Sequence, residues 1–169
     1  MSKFFSNTIS TIEELKKEYF KAAMKYHPDH GGDVETMKAI NAEYAELQKK
    51  LKDKHISFKD ETEVYTADTS TTETPEDFIN IVNELMKLDG LDIELCGRWL
   101  WISGNTKEHK DRLKALGCKW SRNKKMWSWH YAKDGVRSHY KHTPYTIKKI
   151  HSVYGVQKFT DTRNSIVQA

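Results

Sequence analysis

Apolar residues recur at spacings of three, four and seven near the start of the chain, at Ile12, Leu15, Tyr19, Ala22, Ala23 and Tyr26. That period gathers them on one side of a helix. Thr11 and Glu14 stand where a capping box would start it, the threonine accepting from the first turn and the glutamate reaching back. Pro28 lacks an amide proton and disfavours helical geometry at His27, so the helix is expected to stop at about Tyr26 and to leave His27 and Asp29 on an exposed bend. Gly31-Gly32 extends the turn, and Asp33 can cap a second helix carrying Met37, Ile40, Tyr44, Leu47 and Leu51 at the same spacing. Two such helices across a six-residue bend make a hairpin with a shared apolar seam.

Periodicity is lost between Lys54 and Asp77, and Thr66 to Pro75 is nearly all Thr, Ser, Asp and Glu, which reads as a flexible linker. A short helix then opens at Thr74 or Pro75, with Phe78, Ile81, Val82, Leu85 and Leu88 on one face, and ends at Gly90. From Leu91 the period drops to two. Leu91, Ile93 and Leu95 precede a turn near Cys96-Gly97, and beyond it Trp99 and Trp101 share one face while Leu100 and Ile102 share the other. Asn105 or Thr106 caps a helix that points Leu113 and Leu116 inward and ends at Gly117. A second hairpin follows, with Cys118, Trp120, Trp127, Trp129 and Tyr131 alternating around Arg122-Asn123-Lys124-Lys125. A last helix is expected within Pro144 to Tyr154, with 156–169 frayed.

The fold class is therefore α+β: a helical module at 4–54, a linker at 55–75, a small helix-plus-antiparallel-sheet module at 76–133, and a basic tail at 134–169. Charge follows the same division. Residues 1–54 carry ten lysines against nine acids, 55–100 three basic against eleven acidic groups, and 107–151 thirteen basic against three acidic. No apolar run is long enough to span a membrane and the N-terminus lacks a secretory pattern, so a cytoplasmic protein is expected. The two cysteines, Cys96 and Cys118, form no CxxC pair, which argues against a zinc ribbon or a disulfide scaffold. His139, His142 and His151 match no standard metal spacing, so neither metal nor cofactor is expected.

The segment Leu15-Lys16-Lys17 through Tyr19, then Lys25-Tyr26-His27-Pro28-Asp29, Gly31-Gly32-Asp33, and Ile40-Asn41 through Tyr44 and Leu47, resembles the helix, loop and helix of the J-domain family over about a third of the chain. The resemblance implies a co-chaperone that docks on a DnaK-type heat-shock ATPase and speeds its ATP hydrolysis. It also implies that His27, Pro28 and Asp29 form the signalling loop and that Lys16, Tyr19, Lys21 and Lys25 belong to the docking helix. A lysine stripe steers toward an acidic patch, and an exposed carboxylate competes for an arginine. Two departures stand out. Phe20 sits where many members carry Arg or Lys, and the usual first helix would have to fit into Ser2 to Ser10 while no fourth follows Lys54, as in a trimmed module.

Five tryptophans, four of them in two Trp-x-Trp pairs, mark the second module. Its segment from Leu113 to Trp129 weakly resembles strand-turn-strand modules of phage and DNA-metabolism proteins. Its rings are either the core of a small sheet or a stacking surface for nucleic acid, in which Lys119, Trp120, Arg122, Lys124, Lys125, Trp127 and Trp129 would take part. Nucleophiles, paired carboxylates and phosphate loops are missing around His27, so no enzyme activity of its own is expected. The sequence thus supports a co-chaperone whose second module chooses a protein client or a location, with a nucleic-acid-binding protein as the rival reading.

Overall fold

Helix α1 spans Ile12–Tyr26 and begins on the expected capping box: the Glu14 amide donates to Thr11 Oγ1 at 3.4 Å, and Glu14 Oε2 accepts from the Thr11 amide at 3.2 Å. Burial pulls the Glu14 pKa up, but the hydrogen bonds its carboxylate accepts, first from the amide and hydroxyl of Ser10 and then from Thr11, lower it. After a single 3-10 turn at Pro28–His30, helix α2 runs Val34–Leu51. Asp33 Oδ2 accepts from the amide and hydroxyl of Thr36 at its start, at 2.8 and 2.9 Å. The computed structural model describes residues 4–51, 72–131 and 146–160, with 54–58 and 64–68 as backbone, and the chain divides into two units, Met1–Lys87 and Leu88–Ala169.

That division differs from the expected boundary. Helix α3, Pro75–Met86, belongs to the N-terminal unit, and buries Phe78, Ile81, Val82, Leu85 and Met86 there. Its Phe78 ring stands 5.8 Å from Tyr19 and 6.0 Å from Tyr44, whose own rings are 4.5 Å apart. All three are fully buried. Each offers more apolar area than an aliphatic residue, and the cluster forms the centre of this unit. Residues 4–10 contain no helix; instead the Phe4 and Phe5 amides donate to the Glu43 carboxylate, and Phe5 is buried. The departure at position 20 has a packing reason, since the Phe20 side chain is fully buried.

The flexible-linker expectation is also corrected. Strands β1, Lys54–Phe58, and β2, Val64–Asp68, pair antiparallel, with Ile56 opposite Thr66. Glu73, read as linker, is only 5% exposed, and its carboxylate takes the Lys16 ammonium at 2.6 and 2.9 Å. A buried charge demands a partner, and this one lies 57 residues away in sequence.

The C-terminal unit is a five-stranded antiparallel sheet in the order β5-β6-β4-β3-β7. Its strands are β3 Leu91–Cys96, β4 Trp99–Gly104, β5 Lys119–Ser121, β6 Met126–Trp129 and β7 Gln157–Thr160. Ile93 faces Ile102, Ile102 faces Trp127, and Trp127 faces Trp120, so these residues share one side of the sheet with Leu91, Leu95 and Leu100. This is the core side, and the Leu113 of helix α4, Lys110–Ala115, is fully buried in the same unit. The helix starts after His109 rather than at Asn105 or Thr106. It ends as expected at Gly117, whose φ of 81° lets the Cys118 amide donate to the Leu113 carbonyl. The expected frayed end includes β7, which pairs with β3, and α5 spans Ile147–Tyr154 behind the Thr146 cap. No helix of the described residues is long and apolar enough to cross a membrane.

Candidate functional site

The bend at His27-Pro28-Asp29 is held by its own backbone. The His27 amide continues the helix bond to Ala23 at 2.9 Å, while the His27 carbonyl accepts from both His30 and Gly32, at 3.0 and 2.9 Å. Gly31 and Gly32 are there for different reasons. Gly31 has a φ of 84°, which a side chain resists, and a Cβ at Gly32 would run into the Tyr26 carbonyl.

His27 is 4% exposed, against the expectation of an exposed imidazole. Its Nδ1 accepts from the Asp29 amide at 3.3 Å, so the neutral ring carries its proton on Nε2. Burial lowers the His27 pKa, the Asp29 carboxylate at 3.8 Å opposes that shift, and the charges of His30 and Lys87 reinforce it. Asn83 of α3 stands beside the ring and favours its protonated form, although the buried Asn83 Oδ1 makes no hydrogen bond of standard geometry. His30 is tied to the same helix: its Nε2 lies 3.2 Å from the Met86 carbonyl, which only accepts, so that nitrogen donates. Helix α3 therefore backs the bend from inside.

Asp29 and Pro28 remain exposed, and the Asp29 side chain shows 42% of its surface. Lys21 and Lys25 are exposed on α1, Lys21 paired to Glu18 at 2.9 Å and Lys25 lying 5.0 Å over the Tyr26 ring. The other two docking candidates are not on the surface. Lys16 is fully buried on Glu73 and 4.7 Å over Phe78, and Tyr19 is a core ring whose hydroxyl donates to Asn41 at 3.0 Å. Burial raises the Tyr19 pKa well above its ordinary value. Beside the bend an open pocket of about 260 Å³ is lined by Asp29, Val34, Met37, Lys38, Asn83 and Lys87 among others. Val34, half exposed, and Met37 contribute apolar surface to it, and Lys38 and Lys87 contribute two lysines. The sequence reading omitted Val34, Asn83 and Lys87. Only the strong apolar stripe of α3 could have signalled that this helix packs on the bend.

In the second unit the candidate residues separate by sheet face. Trp120, Trp127 and Trp129 lie on the core side, where Trp127 is 7% exposed and Trp120, at the edge strand, 47%. Lys119 lies on the opposite side, across from Ser128, and Lys124 reaches 5.0 Å over Trp101 on that same side. Arg122 and Lys125 are exposed in the β5–β6 turn. The rings of the outer side are Trp99 and Trp101. The sequence had already set these two against Leu100 and Ile102, and the aliphatic run of β3 was the signal for which side is core. Burial pushes the thiols of Cys96 and Cys118 up to about 12. His151 Nε2 sits 2.8 Å from Glu94 Oε2, while His139 and His142 lie outside the described residues.

No family model matches the chain, and no solved structure matches it. Three curated relatives are similar to parts of it. A DnaJ protein homolog 2 from Allium porrum is 55% identical over 38 residues, 22% of this chain and 9% of the relative. The small t antigen of Simian virus 40 is 37% identical over 60 residues, 33% of this chain and 34% of the relative, and that of Budgerigar fledgling disease virus is 50% identical over 32 residues, 19% and 22%. The chain thus spans about a third or less of each. The similarity to the DnaJ homologue covers about a fifth of this chain, and that to the small t antigens a fifth to a third.

Proposed function

We propose that this protein is a J-domain co-chaperone that recruits a DnaK-type ATPase and stimulates its ATP hydrolysis in the cytoplasm. The observation that carries the reading is Asp29: an exposed carboxylate on a bend whose backbone is fixed from within, flanked by exposed Lys21 and Lys25. A fixed acidic group competes for a partner arginine without losing much conformational freedom, and the two lysines steer the approach. The DnaJ-like stretch supports it from the sequence side. The protein does no chemistry of its own in this reading; it biases another enzyme. The second unit places that effect on a client or at a location.

The test is single-turnover ATP hydrolysis by a DnaK-type chaperone alone, with the intact protein, and with Asp29→Asn, which leaves the buried ring of His27 in place. Stimulation by the intact protein and its loss in Asp29→Asn is the expected result. Full stimulation by Asp29→Asn would overturn the role of the bend, and a rate below that of the chaperone alone would make the protein an inhibitor of its partner.

A further inference from the structure

Strand pairing puts Trp99 and Trp101 of β4 on the side of the sheet away from the aliphatic core, with Ser128 of β6 and then Lys119 of β5 in line across from Trp101. Trp101 is 5% exposed, but Trp99 keeps 39% of its surface in solvent. It is nevertheless held firmly. Its ring stacks on Trp101 at 5.7 Å with an interplanar angle of 12°, and the His130 ring meets it at 3.9 Å. A large apolar ring, immobilised on one side and open on the other, exposes surface that packing alone would have covered or replaced by a smaller residue. Lys124 adds an ammonium 5.0 Å over Trp101, so cation and rings form one assembly.

The charge around this assembly belongs to its unit alone. Residues 88–169 carry sixteen basic against seven acidic groups, net +9, whereas residues 1–87 carry twelve against seventeen, net −5. A protein that needed charge only for solubility has no reason to divide it so. We propose that this side of the sheet binds single-stranded nucleic acid, with an unpaired base stacked on the open face of Trp99 and phosphates meeting Lys124 and Lys119. The two rings are too close to admit a base between them, since that takes two stacking distances, roughly 7 Å. The base therefore sits on the outer face. Single strands are favoured because a duplex hides the faces of its bases, while a flat ring accepts any exposed base. A protein client would be recognised by an apolar groove. Lys119 and Lys124 stand on the β6–β5 flank of Trp101, while on the β3 flank Asp92 and Glu94 share the same face, Glu94 across from Trp101 and tied to Lys158 at 2.7 Å. The nucleic-acid strand is therefore expected to run over the β5–β6 flank. The proposal does not rest on the co-chaperone reading, and Asp29→Asn leaves this binding unchanged.

The experiment titrates the full chain into a fluorescein-labelled oligothymidylate and into a duplex of equal length, at several salt concentrations, with thermal melts to show that each variant is folded. The expected result is tighter binding to the single strand, quenching of tryptophan fluorescence, and a steep fall in affinity with salt. Trp99→Ala weakens binding about ten-fold or more, Trp99→Phe keeps most of it, and the pair Lys119→Gln with Lys124→Gln lowers the salt slope by about 1 to 2. No binding at low salt overturns the proposal. So does equal affinity for the duplex together with an unaffected Trp99→Ala, which would make the unit a plain polycation. If Trp99→Ala fails to fold, the lysine pair decides: an unchanged salt slope overturns the assignment.

Discussion

The N-terminal unit closes a cluster of three aromatic rings away from water, whereas the C-terminal unit leaves Trp99 and Trp120 in contact with it. Tyr19, Tyr44 and Phe78 are fully buried where α1, α2 and α3 meet, while Trp99 and Trp120 stay 39% and 47% exposed on the sheet. The difference follows from geometry. A helix packed by two neighbours loses most of its circumference to the core, and even polar residues flanking its apolar stripe are drawn in, as Lys16 is. A sheet needs only one side for its core and can leave the other for function, as at Trp99, and its edge strand β5 leaves even the core-side Trp120 half covered. The first unit therefore offers its function on a bend, and the second on a face.

Removing one partner of the buried ion pair is the largest expected effect. Glu73→Ala leaves the Lys16 ammonium buried without a counter-charge and should cost about 3–5 kcal/mol, measured by urea unfolding of the full chain. Lys16→Met combined with Glu73→Leu should recover most of that loss. A Glu73→Ala cost no greater than that of breaking the exposed Lys21–Glu18 pair would erase the contrast between buried and surface lysines. Within the sheet, Trp127→Ala should cost a similar about 3–5 kcal/mol by cavity formation, and Trp99→Ala less than half as much. Equal costs would mean that both sides of the sheet serve as core.

His27→Gln is intermediate. It removes a buried, hydrogen-bonded ring and should cost about 1–3 kcal/mol, so some loss of melting temperature will accompany any loss of stimulation. Its pH dependence gives a sharper reading. The folded-state pKa of His27 lies below its unfolded value, so as pH falls through about 6.5 the unfolded chain takes up the proton first and stability declines. Above that range the contribution is fully present. Wild-type melting temperature should drop between about pH 7 and 5, and His27→Gln should flatten that part of the curve; parallel curves would show that His27 does not titrate there. The smallest effect on folding is Lys21→Gln, within about 0.5 kcal/mol, yet it should weaken stimulation at limiting protein. Stimulation unchanged by Lys21→Gln would remove this lysine from the docking surface.

Most local signals in the sequence are legible because they act within one turn, the start of α4 after His109 instead of at Asn105 or Thr106 being the exception. The Thr11 box, the stop before Pro28, the Asp33 start and the Gly117 end each depend on residues within one turn, and each stands where expected. The alternation of Trp99 and Trp101 against Leu100 and Ile102 likewise gave the two sides of β4. The larger departures have partners distant in the chain. Lys16 looked like a surface lysine because its carboxylate is at position 73, inside a stretch whose composition resembles linker. Tyr19 looked available for docking because the ring that closes over it, Phe78, sits on a helix assigned to the other module. His27 seemed exposed because Pro28 does place its neighbour Asp29 in solvent, and nothing nearby shows that Asn83 stands beside the imidazole.

Placing α3 in the first core has a consequence for synthesis. A nascent chain that has emerged only as far as Leu51 holds both helices of the hairpin, but Tyr19 and Tyr44 still lack Phe78 and Lys16 still lacks its carboxylate. Since domains generally fold as units during translation, this one must wait until Met86 has cleared the ribosome, about half of the whole protein. A fragment cut at residue 54 thus lacks both the Phe78 ring and the Glu73 carboxylate on which this core closes.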